Sequence, residues 1–249
     1  MAFDAHTHLD MPAFDADREA VLARAGVRGG VICAADPVDW DRVERVGRTI
    51  GWVWTLGLHP WWCRELDDRA VDGWLAALAA RPTPWGIGET GLDRRAAGDA
   101  GMAVQLRALR GHLALARERD VPVVLHVVGA MGEALDVLRA DGLPAAGGMV
   151  HSWSAPADQV GAAVALGLYV SFSGSVCRSR RIALAAASVP ADRLLVETDA
   201  PDQAVEPGAR GEPADLPRVA AAVAAARGAS TEAVLAVGEA NARRLFRLG

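Results

Sequence analysis

The sequence predicts an α/β fold, a single (β/α)8 TIM-type barrel in which residues 1–249 form one domain. Three observations carry this expectation. Eight short apolar or β-prone runs recur along the chain, and stretches with helical periodicity separate most of them. Polar residues stand at the C-terminal ends of six or more of those runs, the place where a barrel gathers its chemistry. A doubly wound open sheet has the same alternation. It usually carries a glycine-rich phosphate loop after its first strand, where this chain reads Asp4-Ala5-His6-Thr7-His8.

The strand candidates are residues 3–7, 29–34, 52–58, 85–89, 121–127, 148–152, 168–173 and 194–198. The clearest helix covers 102–119, where Leu106, Leu109 and Leu113 share one face at i, i+3 and i+7. A second begins at Pro156, suited to a first helical turn, and includes Val160 and Val164. Two more fill the tail, 213–227 and 230–245, the last with Ser230 as N-cap. No Ser-, Pro- or Gly-rich linker divides the chain, and no sequence repeat stands out.

Composition narrows the chemistry. The chain is 51% hydrophobic and 23% charged, which is enough apolar content to bury a core. Its net charge is −5 with a pI near 5.7, the opposite of a protein that grips nucleic acid through a basic surface. All 26 basic residues are Arg. The absence of Lys excludes a Schiff-base lysine, a P-loop lysine, a lysine general base and a carbamylated-lysine metal bridge. Cys33, Cys63 and Cys177 form no CxxC pattern, so neither a disulfide framework nor a thiolate zinc site is expected, and a reducing cytoplasm is. The N-terminus lacks the basic-then-apolar pattern of a signal peptide, and the Ala-rich run at 220–226 is too short to span a bilayer.

Five of the six His fall at predicted strand ends: His6 and His8, His59, His126 and His151. Glu89 ends the fourth run and Asp199 follows the eighth, while His112 lies within a helix. Imidazole and carboxylate together are the ligand set of zinc, manganese or similar divalent ions. Residues two apart on a strand point the same way, so His6 and His8 can reach one ion. Glu89, in Gly86-Ile87-Gly88-Glu89-Thr90-Gly91, would cap a helix or ligate; inside an apolar run, unpaired, it would be costly to desolvate, which favours ligation. Asp199 follows the same logic, and a carboxylate beside an ion can also accept a proton from water. Glu197 is expected to face the other way and be structural. His126 and His151, each ending an apolar run, with Glu89 make a second metal position. His59 is assigned to substrate or packing. Arg94 and Arg95 would grip a phosphate or stand in solvent, and the same holds for the cluster Arg178, Arg180 and Arg181. Trp61, Trp62 and Trp153 would line a pocket mouth or pack, and Cys177 is expected to be inert.

These residues resemble the TatD-like metal-dependent deoxyribonucleases, within the amidohydrolase-type barrels. The matching pieces run in order along nearly the whole chain: Phe3-Asp4-Ala5-His6-Thr7-His8-Leu9-Asp10, Gly57-Leu58-His59-Pro60, Gly88-Glu89-Thr90-Gly91-Leu92-Asp93, residues 122–126, His151-Ser152-Trp153, Ser171-Phe172-Ser173-Gly174, Glu197-Thr198-Asp199-Ala200-Pro201, Gly211-Glu212-Pro213 and the segment 239–246. The resemblance implies a barrel with one to three divalent ions. His6, His8, Glu89 and Asp199 would hold one, Glu89 would bridge, and His126 with His151 would hold the second. The missing lysine leaves Glu89 as the best bridging ligand. Departures fall on the substrate side: Val127-Val128, Val176-Cys177-Arg178-Ser179, Asp202-Gln203 and Gly211 stand where the family usually has Ser-Arg, Phe-Lys, an aromatic and Asn.

The expected activity is metal-dependent hydrolysis of a phosphodiester, at DNA ends or in short or single-stranded oligonucleotides, with two ions of Mg, Mn or Zn. Asp199 and Glu89 are the catalytic candidates, and His59 with Arg94 the substrate contacts. A stable duplex-binding surface and a membrane are not expected, and a monomer is. An amide, lactone or ester hydrolase on the same barrel is the alternative, and a degenerate metal-binding module the next.

Overall fold

The computed structural model describes residues 2–98 and 101–249; Met1, Asp99 and Ala100 lie outside the described residues. Eight parallel strands form one sheet in sequence order: β1 (Ala2–Thr7), β2 (Val27–Cys33), β3 (Val53–Leu56), β4 (Gly86–Asp93), β5 (Val123–Val128), β6 (Gly148–Val150), β7 (Leu168–Phe172) and β8 (Leu194–Val196). The connecting helices are α1 (Arg18–Ala25), α2 (Trp40–Ile50), α3 (Asp68–Ala79), α4 (Ala103–Arg119), α5 (Met131–Asp141), α6 (Val160–Ala165), α7 (Arg180–Ser188) and α8 (Leu216–Arg227), followed by α9 (Thr231–Leu245). This is the predicted (β/α)8 barrel.

Closure rests on backbone bonds beyond the end of β8. The Asp199 N–H donates to the His6 carbonyl at 3.0 Å, and the His8 N–H to the Ala200 carbonyl at 2.7 Å. Below them the buried Asp4 carboxyl takes the Thr198 N–H at 2.9 Å and faces the Thr198 hydroxyl at 2.5 Å. Burial pushes the Asp4 pKa up to about 7 against the lowering effect of these bonds.

Two apolar clusters lie on the two sides of the sheet. Between sheet and helices pack Ile32, Leu56, Ile87, Leu125, Val150, Val170 and Val196 with Leu109 and Leu113 of α4. Inside the barrel Phe3, Ala5, Val31, Val124, Met149, Tyr169 and Leu195 meet Leu245 and Phe246, so the chain's C-terminal end plugs the bottom. Each fully buried side chain of this kind contributes about 1.5–3 kcal/mol.

Boundaries differ from the sequence reading where local bonding competes. The predicted strand 52–58 stops at Leu56, because the Leu58 N–H turns to His112 Nε2 at 3.0 Å instead of a ladder partner. The predicted strand 85–89 runs on to Asp93, pairing Thr90 to Asp93 with Leu125 to Val128. Ser230 caps α9 through the Ala233 N–H at 3.2 Å, as expected. No single helix among the described residues is long and apolar enough to cross a membrane.

Candidate metal centre

Strict alternation would not build this site. In β1 Ala5 belongs to the interior cluster, and in β4 Ile87 to the outer one. A regular strand would therefore turn both His6 and Glu89 away from the interior. The pairing register shifts between Asp4 and Thr7 and again between Ile87 and Thr90, which re-aims both side chains inward. Glycines make room for the resulting approach. A Cβ on Gly91, at φ +140°, would meet the His126 carbonyl oxygen at 2.0 Å, and one on Gly57 would meet the Glu89 carbonyl oxygen at 2.4 Å.

The first half of the site is a tight cage. His6 Nε2 and His8 Nε2 lie 3.3 Å apart. His6 Nε2 is 3.5 Å from both Glu89 Oε1 and Asp199 Oδ1, and His8 Nε2 is 3.4 Å from each of the same oxygens. His6, His8 and Asp199 present donor atoms that all lie within 4.8 Å of one another, and Glu89 Oε1 stands within 3.5 Å of both imidazoles, nitrogen and oxygen donors of the kind zinc takes. Glu89 Oε1 is buried and has no hydrogen-bond partner among the described residues. The donor set fits a divalent cation.

The second half uses the other oxygen of the same carboxylate. Glu89 Oε2 lies 2.7 Å from His151 Nε2, 3.8 Å from His126 Nδ1 and 3.7 Å from His59 Nε2, and His126 Nδ1 is 3.1 Å from His151 Nε2. Glu89 therefore faces two separate donor groups. His6, from the first, stacks on His151, from the second, with ring centroids 3.9 Å apart.

The far side of each imidazole decides which nitrogen is free. His8 Nδ1 sits 2.7 Å from the Cys33 carbonyl, so it carries the hydrogen and leaves Nε2 for the site. His126 Nε2 lies 3.1 Å from Asp93 Oδ2, which leaves Nδ1. His59 is arranged the other way. Its Nδ1 accepts the Trp61 N–H at 3.1 Å, so the neutral ring carries its proton on Nε2 and presents a donor. His112 donates from Nδ1 to the Ala108 carbonyl at 2.6 Å and takes the Leu58 N–H on Nε2, a closed set that makes it a core histidine.

Two acids that the sequence reading gave no role in the site, Asp93 and Glu197, support these rings. Asp93 also takes the Trp61 indole N–H at 2.8 Å and the Arg95 N–H at 2.8 Å. Glu197, expected to face away, instead lies 3.5 Å from His151 Nδ1 and accepts the Ser152 N–H at 2.6 Å. It shares parity with Asp199, which is the signal in the sequence that placed it on the same side.

Burial and the neighbouring charges set the protonation of these groups. Burial works against the ionised form of Glu89, yet His151, His6 and His59 hold it well below the usual carboxylate range. Burial likewise opposes ionisation of Asp199, and the bond to His8 with the charges of His151 and His6 lowers it. Burial disfavours charge on His8 as well, but Asp199 and Glu89 push its pKa up to about 10. His151 is raised by Glu89 and Glu197 against its burial. Burial and the neighbouring His126 hold His59 well below its ordinary value, so it stays neutral. Ionised carboxylates beside imidazoles that hold protons are the state a divalent cation replaces.

The site opens into a cavity of about 410 Å³ lined in part by His8, His59, Asp199 and Arg178, with a second of about 650 Å³ beside His126, Arg95 and Arg181. Arg94 is placed elsewhere. Its guanidinium binds the Gly129 carbonyl at 2.9 Å and pairs with Glu133, and it lines neither cavity. Trp153 is fully buried, with its indole N–H on the Ala155 carbonyl at 2.8 Å. Gly211 packs on the loop after β8, where a Cβ would meet the Asp202 carbonyl oxygen at 2.7 Å.

A family model described as TatD related DNase matches residues 3–247. The 3'-5' ssDNA/RNA exonuclease TatD of Pantoea vagans (strain C9-1) is 35% identical over 260 residues, covering 99% of each chain. The uncharacterized metal-dependent hydrolase YcfH of Escherichia coli (strain K12) is 32% identical over 256 residues, 98% of this chain and 95% of that one. The crystal structure of YJJV, a TatD homolog from Escherichia coli K12, superposes with a TM-score of 0.89 at 29% identity, covering 100% of this chain and 98% of the other. With the family match running over nearly the full barrel, the chain belongs to the TatD-related DNase family and is a metal-dependent hydrolase.

Proposed function

We propose that the protein is a TatD-like phosphodiesterase that cleaves at DNA ends or within short single-stranded oligonucleotides. One observation carries the reading: the two oxygens of Glu89 face two donor groups, His6, His8 and Asp199 on one side and His126 and His151 on the other. Two divalent ions, Mg, Mn or Zn, held by these six residues would polarise a phosphoryl oxygen and acidify water. Asp199 turns Oδ1 toward both imidazoles, which leaves Oδ2 to accept the proton of the attacking water. The water oxygen bonds to phosphorus, one phosphorus–ester oxygen bond breaks, and the leaving oxygen is protonated in turn. His59, neutral with its proton on Nε2, donates toward the phosphoryl oxygens. Arg178 stands in the same cavity as a charge partner for the substrate.

The acidic chain suits a small substrate. Two divalent ions bring four positive charges against the two ligand carboxylates, so the pocket attracts phosphate although the net charge is −5. A long grip on duplex DNA is not part of this proposal, which takes the active form as a cytoplasmic monomer.

The test is direct. Purified protein with verified metal content is given single-stranded DNA and a bis-aryl phosphodiester in Mg²⁺, Mn²⁺ or Zn²⁺. Cleavage that a chelator abolishes is the expected result. Cleavage of neither substrate overturns the reading.

A further inference from the structure

Beside the metal centre lies a surface that the chemistry above does not use. Trp61 and Trp62, which follow His59 and Pro60, are 53% and 45% exposed, among the few large apolar side chains left open to solvent among the described residues. They line a cavity of about 470 Å³ together with Arg95, Asp93, Val128 and His126. Two indoles in one exposed pocket are costly to leave in water, and each offers a flat face of about the size of a nucleobase.

The pocket is continuous with the reaction centre. His126 lines it and the catalytic cavity alike. The Trp61 ring packs edge to face on His59 at 4.9 Å and on His126 at 6.0 Å between centroids. Its indole N–H is fixed on Asp93 Oδ2, the oxygen that also holds His126 Nε2. Trp61 is thus held rigid by the carboxylate that orients a metal-facing imidazole, and little ordering is left to be done when something stacks on it. Arg95 brings a guanidinium to the same cavity, and no hydrogen bond or ion pair of that guanidinium occurs among the described residues. A stacking platform with a free cation beside it is how proteins hold single-stranded nucleic acid.

We infer that Trp61 and Trp62 form a subsite that stacks the unpaired base of the nucleotide next to the scissile phosphate, with Arg95 on the adjoining phosphate of the same strand. The inference rests on the phosphodiesterase reading and adds the recognition element. Stacking reads the π-face that every base has, so it tolerates sequence. It also requires the base to be out of a duplex, so the subsite selects ends and single strands over paired DNA.

The experiment compares equilibrium binding of two short single-stranded probes to the metal-loaded protein, both phosphorothioate-linked to suppress cleavage. One probe carries thymine bases and the other is the abasic backbone of equal length; unmodified thymidine oligonucleotide is assayed for cleavage in parallel. The abasic probe is expected to bind on the order of tenfold more weakly, in line with the loss of one stacked base. That discrimination should fall toward unity in Trp62→Ala, an exposed position whose side chain makes no hydrogen bond among the described residues, and survive in Trp61→Phe, which keeps a ring. Equal binding of both probes to the wild type overturns the subsite and leaves the phosphodiesterase reading standing. Discrimination unchanged in both Trp62→Ala and Trp61→Ala overturns it too. Clear discrimination without cleavage of the unmodified strand overturns the phosphodiesterase reading instead and keeps the subsite.

Discussion

The two ends of the barrel interior are built on opposite rules. At the bottom, Phe3, Val31, Val124, Met149, Tyr169 and Leu195 obey the period of a regular strand and are sealed by Leu245 and Phe246. At the top, two register shifts and a set of glycines press five imidazoles and two carboxylates into one buried space. Asp199 there holds φ +58°, a left-handed conformation that a residue with a side chain rarely adopts. Dispersion and apolar burial stabilise the bottom. The top keeps charged groups desolvated, which costs stability that the bottom and the outer layer must offset. A scaffold of this kind can carry a strained polar site because the two demands are met by different layers of the same strands.

That division can be tested from its strongest point downward. Glu89→Ala removes the one side chain shared by both donor groups. It should bring metal-dependent turnover to background and lower the bound metal by elemental analysis. Unchanged metal occupancy would mean that Glu89 is not a ligand.

Asp199→Asn keeps the size of the side chain and one oxygen but loses the proton acceptor. Turnover should fall by about 10²–10⁴-fold with most of the metal retained. Near-normal turnover would end its role as base.

At the other end, Phe246→Ala opens a cavity under the barrel and should destabilise the fold by about 3–5 kcal/mol in urea unfolding. The turnover of the molecules still folded should be unchanged. A parallel loss of turnover would show that the two ends are coupled.

The smallest effect concerns His112, buried between α4 and the segment leading to His59. Burial pushes its pKa down to about 4 despite the bond to Ala108. Since the unfolded chain takes up this proton near pH 6.5 and the folded chain only near 4, the contribution is fully present above pH 6.5 and is lost as the pH falls toward 4. By pH 5 the loss is about 2 kcal/mol. His112→Gln cannot titrate, so its stability should decline less steeply between pH 7 and 5, and parallel curves would refute the neutral buried ring.

How far the site could be read from the sequence differs residue by residue. The fold brings His6, His8, His126, His151, Glu89 and Asp199 close together, and what pointed to them in the sequence was the ordered set of His and acids at the ends of successive apolar runs rather than any one residue. Asp93 stood in a quoted motif, but its partner His126 is 33 residues away and nothing local links them. Arg94 and Arg95 are equivalent as letters. Only the turn at Asp93, with Gly129 and Glu133 nearby, sends one guanidinium to a neighbouring loop and the other to the cavity. His112 showed its nature early, since it lies inside a helical stretch away from any strand end.

Alternation of short apolar runs with helical periods determined the barrel, and the order of His and acid motifs along the chain determined the family. These are local properties, set by the period of each element and by which residue types are present. The tertiary structure alone decided which atoms meet. A side chain's facing depends on register shifts in β1 and β4, and a ring's free nitrogen depends on a partner brought in from another strand. Neither shift leaves a mark in hydrophobic periodicity, because each involves a few residues and is stabilised by neighbours that only closure of the barrel brings near.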